Sequence, residues 1–303
     1  MSAPITFSIV IPSYNRERFI LATLSSALNQ TYPHYEVIVV DDGSNDNTDQ
    51  LIESLNNPKI VYFKKNNEER AVARNTGFQL AKGDYVTLLD SDDYLYPNHL
   101  EEAVNYITSA KFPEIVRFDY DIVDSEKNIL KVDHLPDNIN RKMTRGNYMG
   151  CSGILLRRDI ALSYPFNPDR DLSGSEDYEL WLRLAARFTV HVQHKVTCSL
   201  HSHEERSVVF NIEEKTLVKR IELLIEYTQQ DRAVKKIYGK KTRSFISHCY
   251  LYISLHLAIA KINASAIRYL FKALITYPPS ILDKRFLGIL KTLIIGNINS
   301  SFG

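Results

Sequence analysis

The first 200 residues of the chain alternate between short apolar segments and longer amphipathic ones. The apolar segments are five or six residues long and rich in β-branched residues, which is typical of β-strands. The first of them, 7–11, is apolar throughout, which predicts a strand in a sheet covered on both faces. Strands are predicted at 7–11, 35–40, 59–63 and 85–89, with helices between them at 18–30, 45–55 and 71–81. Because strands and helices alternate, the pattern predicts parallel βαβ units.

The region that follows continues the alternation with less regular spacing. Helices are predicted at 97–109 and 176–186, strands at 115–123, 152–156 and 190–200, and an irregular polar segment at 124–150. The helix at 176–186 is amphipathic, and its Leu180, Trp181 and Leu184 are expected to face the core. Its first turn carries Glu176 and Asp177, where negative charge also suits the positive end of the helix dipole.

From residue 212 onward the pattern is helical, with apolar stripes at helical spacing. The stripes are Leu217, Ile221 and Leu224; Ile262, Ala266, Ile267, Leu270, Phe271 and Leu274; and Phe286, Ile289, Leu290 and Leu293. The favoured interpretation is a helical bundle that covers the sheet; the alternative for the last stripe is a helix lying in a membrane interface. The sequence therefore predicts an α/β domain over 1–211 and a helical extension over 212–303.

Charge divides the chain at the same place. Residues 1–211 contain 22 basic and 30 acidic side chains, whereas residues 212–303 contain 15 basic and 6 acidic ones. The default interpretation of the basic tail is a solvated helical face. The functional alternative is contact with an anionic membrane surface or an anionic acceptor.

Three features bear on the location of the protein. The cysteines Cys151, Cys198 and Cys249 are far apart and lack metal-ligand spacing, which is typical of a reducing compartment. The N-terminus has no signal-peptide pattern, and no run of 18 apolar residues predicts a membrane span. The expected location is cytoplasmic, with peripheral contact at the inner face of the membrane as the alternative.

Polar side chains follow three of the predicted strands at their carboxyl ends. The segments are Ser13-Tyr14-Asn15, Asp41-Asp42-Gly43-Ser44 and Asp90-Ser91-Asp92-Asp93. Ligands of open parallel sheets bind at this edge, so the three segments are expected to form one site. The carboxylates of the third segment repel one another, and they indicate either a solvated acidic turn or a divalent cation shared with phosphate.

Other kinds of site lack support in the sequence. The chain contains no G-x-G-x-x-G, no G-x-x-x-x-G-K-[ST] and no G-x-S-x-G, so it has no dinucleotide fingerprint, P-loop or nucleophile elbow. The basic residues of the tail lack interleaved aromatic motifs, so no nucleic acid is expected as a partner.

Five segments, in the same order, resemble the inverting family 2 glycosyltransferases with the GT-A fold, including those of bacterial polysaccharide biosynthesis. They are 9–15 (IVIPSYN), 36–44 (EVIVVDDGS), 71–77 (AVARNTG), 89–93 (LDSDD) and 176–177 (ED). The resemblance covers about residues 5–207 and leaves the tail outside. It implies a Rossmann-like, mostly parallel sheet flanked by helices, with residues 1–211 as the nucleotide-sugar-binding and catalytic domain.

The resemblance implies a role for each matching residue at the donor. The implied nucleotide-binding residues are Pro12, Ser13, Tyr14, Asp42, Arg74 and Asp90. Tyr14 would stack on the base, and Asp42 would accept a hydrogen bond from the base or ribose, with Asp41 as the alternative. Arg74 would contact the nucleotide or its diphosphate, or pair with the acidic rim, and Asp90 would meet the ribose.

The resemblance also implies a metal and a general base. Asp92, Asp93 and His203 are the implied ligands of Mn²⁺ or Mg²⁺ at a DXD motif, and which of the carboxylates touches the metal is left open. Asp177 would be the general base that activates the acceptor hydroxyl, and Glu176 would orient the acceptor or its neighbour.

The implied activity is metal-dependent, inverting transfer of a hexose from a nucleotide-diphosphate sugar, with a UDP-sugar preferred. The acceptor would be a hydroxyl of a saccharide or lipid-linked saccharide in cell-surface polysaccharide synthesis. One alternative is a non-catalytic module that binds nucleotide sugars or acts as a scaffold. A second alternative, a D-x-D phosphohydrolase, needs a small hydroxyl residue where the chain has Tyr94.

Overall fold

The structure is a computed structural model that describes residues 3–203 and 213–300, with side chains described to residue 294. The domain boundary predicted between residues 211 and 212 lies outside the described residues. Within the described part of the chain, no helix is long and apolar enough to cross a membrane.

The described strands form one mixed sheet. They are β1 (Phe7–Ser13), β2 (Tyr35–Asp41), β3 (Ile60–Lys64), β4 (Tyr85–Leu88), β5 (Tyr94–Leu95), β6 (Ile115–Val123), β7 (Ile129–Asp133), β8 (Ile154–Arg157) and β9 (Val190–His201). Their order is β3-β2-β1-β4-β8-β6-β9-β5, with β7 paired to β6. Strands β5, β7 and β8 run against their neighbours, and the other pairs are parallel, which confirms the predicted mostly parallel sheet.

Helices flank this sheet and continue beyond it. They are α1 (Ile20–Leu28), α2 (Thr48–Ser54), α3 (Arg70–Leu80), α4 (His99–Ser109), α5 (Ile139–Lys142), α6 (Arg158–Ser163), α7 (Glu176–Ala185), α8 (Glu214–Gln230), α9 (Arg232–Tyr238), α10 (Thr242–Ile259), α11 (Asn263–Thr276) and α12 (Lys284–Ser300). The segment 124–150, predicted to be irregular, contains β7 and α5. Strand β7 is exposed and forms through its ladder with β6, so its own sequence has no buried face to indicate it.

Side chains of the sheet alternate between two hydrophobic layers. In β1, Ile9 and Ile11 pack on the side of α1 and α4, whereas Val10 packs on the side of α3 and α7. Helix α3 lies close to the sheet at Gly77, where an added Cβ would stand 2.2 Å from Cγ1 of Val10. Trp181 is fully buried in the second layer, as predicted.

The helical tail joins the same layer as α7, so the predicted bundle does cover the sheet. The first stripe is buried in this shared core, at Leu217, Ile221 and Leu224. The other two stripes are split. Ala266, Leu270, Phe286, Ile289 and Leu293 are buried, whereas Ile267, Phe271 and Leu290 are exposed.

Candidate active site

A cleft of about 330 Å³ opens at the carboxyl ends of β1, β2 and β4. The three polar segments meet here because parallel strands end at the same edge of the sheet. Seven of the predicted site residues line the cleft, namely Pro12, Ser13, Tyr14, Asp42, Arg74, Asp90 and Asp92.

Residues at the end of β1 offer both stacking and hydrogen bonding. The Tyr14 side chain is 45% exposed at the cleft, which leaves an aromatic face available to a flat ring. The buried Ser13 Oγ has no hydrogen-bond partner among the described residues. A ligand that stacks on Tyr14 and hydrogen-bonds Ser13 would satisfy both groups.

The two aspartates at the end of β2 have different environments. Asp41 has no exposed surface; it accepts hydrogen bonds from the Ser44 backbone N–H and the Tyr62 hydroxyl, each at 2.8 Å. Burial, followed by the Asp41 carboxylate, raises the pKa of Tyr62, so this hydroxyl remains a donor. Asp41 is therefore committed to the fold, whereas Asp42 lines the cleft.

Asp42 also holds the loop that forms the opposite wall of the cleft. Its Oδ1 accepts from Lys65 Nζ at 2.8 Å and the Glu68 backbone N–H at 3.0 Å. Its Oδ2 accepts from the Glu69 backbone N–H at 2.8 Å. Each carboxylate oxygen has two lone pairs, so Oδ2 retains capacity for a ligand.

Arg74 joins the cleft to the first turn of α7. Its Nη2 donates to Asp90 Oδ1 and its Nη1 donates to Glu176 Oε1, both at 2.8 Å. Arg74 is buried, and a buried cation is stable only when it is paired in this way. The rigid guanidinium therefore fixes the distance between the Asp90 and Glu176 carboxylates.

The neighbouring carboxylate, Asp177, is in an environment that disfavours its charge. Burial, followed by repulsion from Glu176, raises the pKa of Asp177 to about 6, against the lowering effect of Arg74. Asn147 Nδ2 donates a hydrogen bond to Asp177 Oδ2 at 2.8 Å and so orients the group. A carboxylate with a pKa near neutrality is well matched to accepting a proton from a hydroxyl.

A comparison of the sequence with known protein families identifies the family of the chain. Residues 8–162 match the family described as "Glycosyl transferase family 2". The chain belongs to glycosyl transferase family 2.

Curated relatives of this family 2 chain include two informative matches. An uncharacterised glycosyltransferase of Rickettsia felis is 28% identical over 80% of this chain and 42% of its own length. The Escherichia coli protein WfaP, named as a UDP-Glc:alpha-D-GlcNAc-diphosphoundecaprenol beta-1,3-glucosyltransferase, is 34% identical over 59% of this chain and 70% of its own length. The chain spans less than half the length of the Rickettsia relative.

Solved structures similar to this family 2 chain have the GT-A fold. Staphylococcus aureus TarS 1–349, solved with UDP-GlcNAc, has a TM-score of 0.62 and 16% identity, over 91% of this chain and 92% of that one. The mannosyltransferase PcManGT of Pyrobaculum calidifontis, solved with GDP-Man and Mn²⁺, has a TM-score of 0.58 and 16% identity, over 98% and 88%. At this level of identity the likeness establishes the fold.

The predicted metal residues of the family 2 site do not all lie together. Asp92 Oδ2 is 3.1 Å from His203 Nε2 and 3.6 Å from Arg16 Nη2. Asp93 is fully buried and accepts from Ser152 Oγ at 2.6 Å and the His201 backbone N–H at 3.0 Å. Asp93 is absent from the cleft lining, so the contacts favour Asp92 over Asp93 as a metal ligand.

The donor set around Asp92 fits a divalent cation that the substrate helps to bind. No cluster of three His, Cys, Asp or Glu capable of holding a metal occurs among the described residues. Mg²⁺ is commonly held by one or two carboxylates together with substrate phosphates and water. Asp92 would supply such a carboxylate, with His203 as an adjacent nitrogen ligand.

Two residues of the site lie outside the sequence-based prediction. Arg16 lines the donor cleft beside Asp92. Its position directly after the polar segment Ser13-Tyr14-Asn15 is a sequence signal that could have placed it in the site. Asn147 lies in the segment that was predicted to be irregular, and its sequence carries no sign of a contact with Asp177.

Proposed function

We propose that this glycosyltransferase moves a sugar from a nucleotide-diphosphate donor to a hydroxyl of a saccharide or lipid-linked saccharide in cell-surface polysaccharide synthesis. The observation that carries the proposal is the position of Arg74. Its guanidinium contacts Asp90 at the donor cleft and Glu176 in the first turn of α7. With the donor bound in the cleft, its sugar would thus lie near the carboxylate of Asp177.

The donor we propose is a UDP-sugar. Tyr14 would stack on the uracil, Pro12 and Ser13 would line the same pocket, and Asp42 would accept a hydrogen bond from the base or ribose. Asp90 would meet the ribose. The relative WfaP, 34% identical, is named as a UDP-Glc transferase, which supports uridine over the other bases.

Asp177 would act as the general base. In its ionised form it takes the proton of the acceptor hydroxyl while the oxygen attacks the anomeric carbon on the face opposite the diphosphate. One displacement of this kind inverts the anomeric configuration. Glu176, held by Arg74 at 2.8 Å, would keep the first turn of α7 in place and orient the acceptor.

Asp92 and His203 would hold a divalent metal, Mn²⁺ or Mg²⁺, together with the diphosphate. Such an ion neutralises charge on the leaving group. Arg16, 3.6 Å from Asp92, and Arg74 add positive charge on the protein side of the same cleft. Asp93, through Ser152 and the backbone of His201, would position the segment that carries Asp92.

The test is donor binding followed by transfer. Thermal shifts are measured with UDP, GDP, dTDP and CDP, each with and without Mn²⁺, because a ligand of the folded state raises its stability. Transfer is then measured from UDP-glucose to N-acetylglucosamine joined by a diphosphate to an undecyl chain, an acceptor analogue suggested by the name of WfaP. We expect a Mn²⁺-dependent shift, largest for UDP.

Asp177→Asn is the decisive variant for catalysis. We expect transfer to fall by about 10²–10⁴-fold, the usual contribution of a general base, with the UDP shift unchanged. Asp159→Asn is the matched control, because Asp159 pairs with Arg157 away from the cleft. Equal loss of donor binding and turnover in Asp177→Asn would contradict the base assignment. No nucleotide shift at all would favour a scaffold or a phosphohydrolase.

We also propose that the chain contacts the membrane through α11 and α12. The exposed apolar residues of these two helices and of the 3₁₀ turn between them, Pro278–Leu282, are Ile267, Phe271, Ile275, Ile281, Leu282, Leu287, Leu290 and Ile294. Ile275 is 75% exposed and Leu282 is 83% exposed, a cost in water that a bilayer interface would remove. Lys284 and Lys291 lie on α12, and their positive charges suit anionic lipid head groups.

Vesicle co-sedimentation tests this contact. We expect binding to vesicles with 30% phosphatidylglycerol and weak binding to pure phosphatidylcholine. The double variant Phe271→Glu/Leu282→Glu is expected to reduce binding about 10-fold or more, since it places charge in the bilayer interface. Ile129→Glu is the control, because Ile129 is as exposed as Phe271 but lies on β7. Undiminished binding of the double variant would refute the contact.

A further inference from the structure

A second cavity, of about 300 Å³, lies beside the first turn of α7. Its walls are the segment 145–147, the residues before and at the start of α7, and faces of α8, α10 and α12. Asp177 lines this cavity, while its neighbour Glu176 contacts Arg74 from the donor cleft. The two spaces therefore meet at the pair Glu176–Asp177, and the C-terminal helices complete the second one.

The cavity is lined by two arginines that no described residue neutralises. Arg145 and Arg285 both line it, and neither side chain forms an ion pair or hydrogen bond within residues 3–203 and 213–294. The nearest acidic residue in sequence to Arg285 is Asp283. Its carboxylate pairs instead with His248 Nε2 at 3.1 Å and accepts from the Arg285 backbone N–H at 2.8 Å.

The one carboxylate among the lining residues is Asp177, and it is held by Asn147 rather than by either arginine. The remaining wall has apolar and aromatic side chains, among them Ile221, Leu224 and Tyr252, beside the polar side chains of Ser175 and His248. Apolar and aromatic surfaces suit the face of a sugar ring or a short alkyl segment, and unpaired arginines suit phosphate oxygens.

We propose that this cavity is the acceptor site, and that Arg145 and Arg285 recognise a phosphate or diphosphate group carried by the acceptor saccharide. The inference rests on the proposed glycosyl transfer and adds the class of acceptor. The acceptor hydroxyl lies at Asp177, and the anionic group lies toward α12. Arg145 and Arg285 contribute binding and orientation, and Asp177 alone contacts the reacting oxygen.

Two sources could supply this anionic group, a lipid diphosphate or a soluble sugar phosphate. Binding is measured calorimetrically on protein saturated with UDP and Mn²⁺, so that the donor cleft is filled. The probes are N-acetylglucosamine diphosphate on an undecyl chain, undecyl N-acetylglucosaminide without phosphate, and N-acetylglucosamine 1-phosphate. If the diphosphate probe with the undecyl chain binds more tightly than N-acetylglucosamine 1-phosphate, the source is a lipid diphosphate. If these two probes bind equally, the source is a soluble sugar phosphate.

We expect the diphosphate probe to bind about 10-fold or more tightly than the phosphate-free one, an effect typical of charge-assisted hydrogen bonds. Arg285→Gln and Arg145→Gln are each expected to reduce that preference, and the double variant to abolish it. Arg232→Gln is the matched control, because Arg232 is exposed at the start of α9 outside the cavity. A UDP shift equal to that of the unmodified protein shows that each variant is folded with its donor cleft intact.

Three results would overturn the inference. They are equal binding of charged and uncharged probes, a preference that survives in Arg145→Gln/Arg285→Gln, and no binding of any probe to UDP-loaded protein. None of these results contradicts the proposed transfer from UDP-sugars, because UDP is already bound in the donor cleft when the probes are added. Failure of UDP itself to bind would refute the proposed function instead, so the two failures are distinguishable.

Discussion

At the scale of single residues, the same carboxylate chemistry leads to different roles. Asp41 and Asp93 have no exposed surface and hold loops through hydrogen bonds, whereas Asp42 and Asp92 lie at the surface of the donor cleft. Asp177 lies in the first turn of α7 beside Glu176, where burial, followed by repulsion from Glu176, raises its pKa to about 6. Environment, not residue type, separates structural aspartates from the proposed base.

The first prediction concerns the pH dependence of transfer. A general base must be ionised to accept a proton, so kcat/KM is expected to rise through a pKa near 6 and level off above pH 7. The measurement is a pH profile of kcat/KM with UDP-glucose and the diphosphate acceptor. A profile that is flat from pH 5 to 8, with chemistry limiting the rate, would show that another group accepts the proton.

The second prediction concerns stability at the same residue. Because the pKa of Asp177 is higher in the folded protein than in the unfolded chain, its ionisation costs stability, and that cost grows from about pH 4 and is complete above about pH 6. Asp177→Asn removes the charge and keeps an acceptor for Asn147. We expect a Tm about 1–3 °C higher at pH 7.5 and a smaller difference at pH 4.5. A lower Tm at pH 7.5 would mean that the charge is compensated in the folded protein.

At the scale of elements, the loop between β3 and α3 is held in a strained conformation. Glu69 has φ of +79° and ψ of 160°, a region of the backbone map that is essentially restricted to glycine. Asp42 fixes it by accepting from the backbone N–H groups of Glu68 and Glu69. Gly43 stands opposite, where an added Cβ would lie 3.0 Å from the Asn67 backbone nitrogen. The strain therefore lies on the wall of the donor cleft.

The third prediction separates this strain from the Glu69 side chain. Glu69→Ala and Glu69→Gly both remove the hydrogen bond that Ser173 Oγ donates to Glu69 Oε2 at 3.0 Å. Only glycine relieves the backbone, so Glu69→Gly is expected to be more stable than Glu69→Ala by about 1 kcal/mol, within the cost of such a conformation. Urea denaturation of both variants measures the difference. Equal stability would show that the conformation relaxes without glycine.

At the scale of the whole molecule, the α/β part and the helical tail share one hydrophobic layer. Leu180, Trp181 and Leu184 of α7 belong to the same core as Leu217, Ile221 and Leu224 of α8. Arg187 after α7 donates to Asp231 Oδ2 at 2.8 Å, which adds an ion pair between the two parts. The tail is thus part of the fold that surrounds Asp177.

The fourth prediction follows from this shared core. Trp181 is the single tryptophan of the chain and is fully buried beside Phe166, so its fluorescence reports the core under α7. Circular dichroism at 222 nm is dominated by helices, including those of the tail. We expect the two probes to give the same urea midpoint, as one cooperative unit requires. A loss of helical signal well before the Trp181 transition would show that the tail unfolds independently.

The periodicity of the sequence determined strands β1 to β4, β6, β8 and β9, most of the flanking helices, and the edge where Ser13, Asp42 and Asp92 meet. Strands buried on both faces have to be apolar throughout, and the carboxyl ends of parallel strands lie at one edge of the sheet. Local sequence is therefore enough to predict these features. The resemblance to family 2 also identified Asp177 from local sequence, because the matching motif is the contiguous pair Glu176-Asp177.

Contacts between distant residues were decided only by the tertiary structure. The bridge from Arg74 to Glu176 spans 102 positions, and the hydrogen bond from Asn147 to Asp177 spans 30. Arg285 reaches the cavity of Asp177 from the last described helix. Local sequence contains no record of which side chains folding brings together, so the raised pKa of Asp177 and the second cavity exist only once the sheet and the tail have packed.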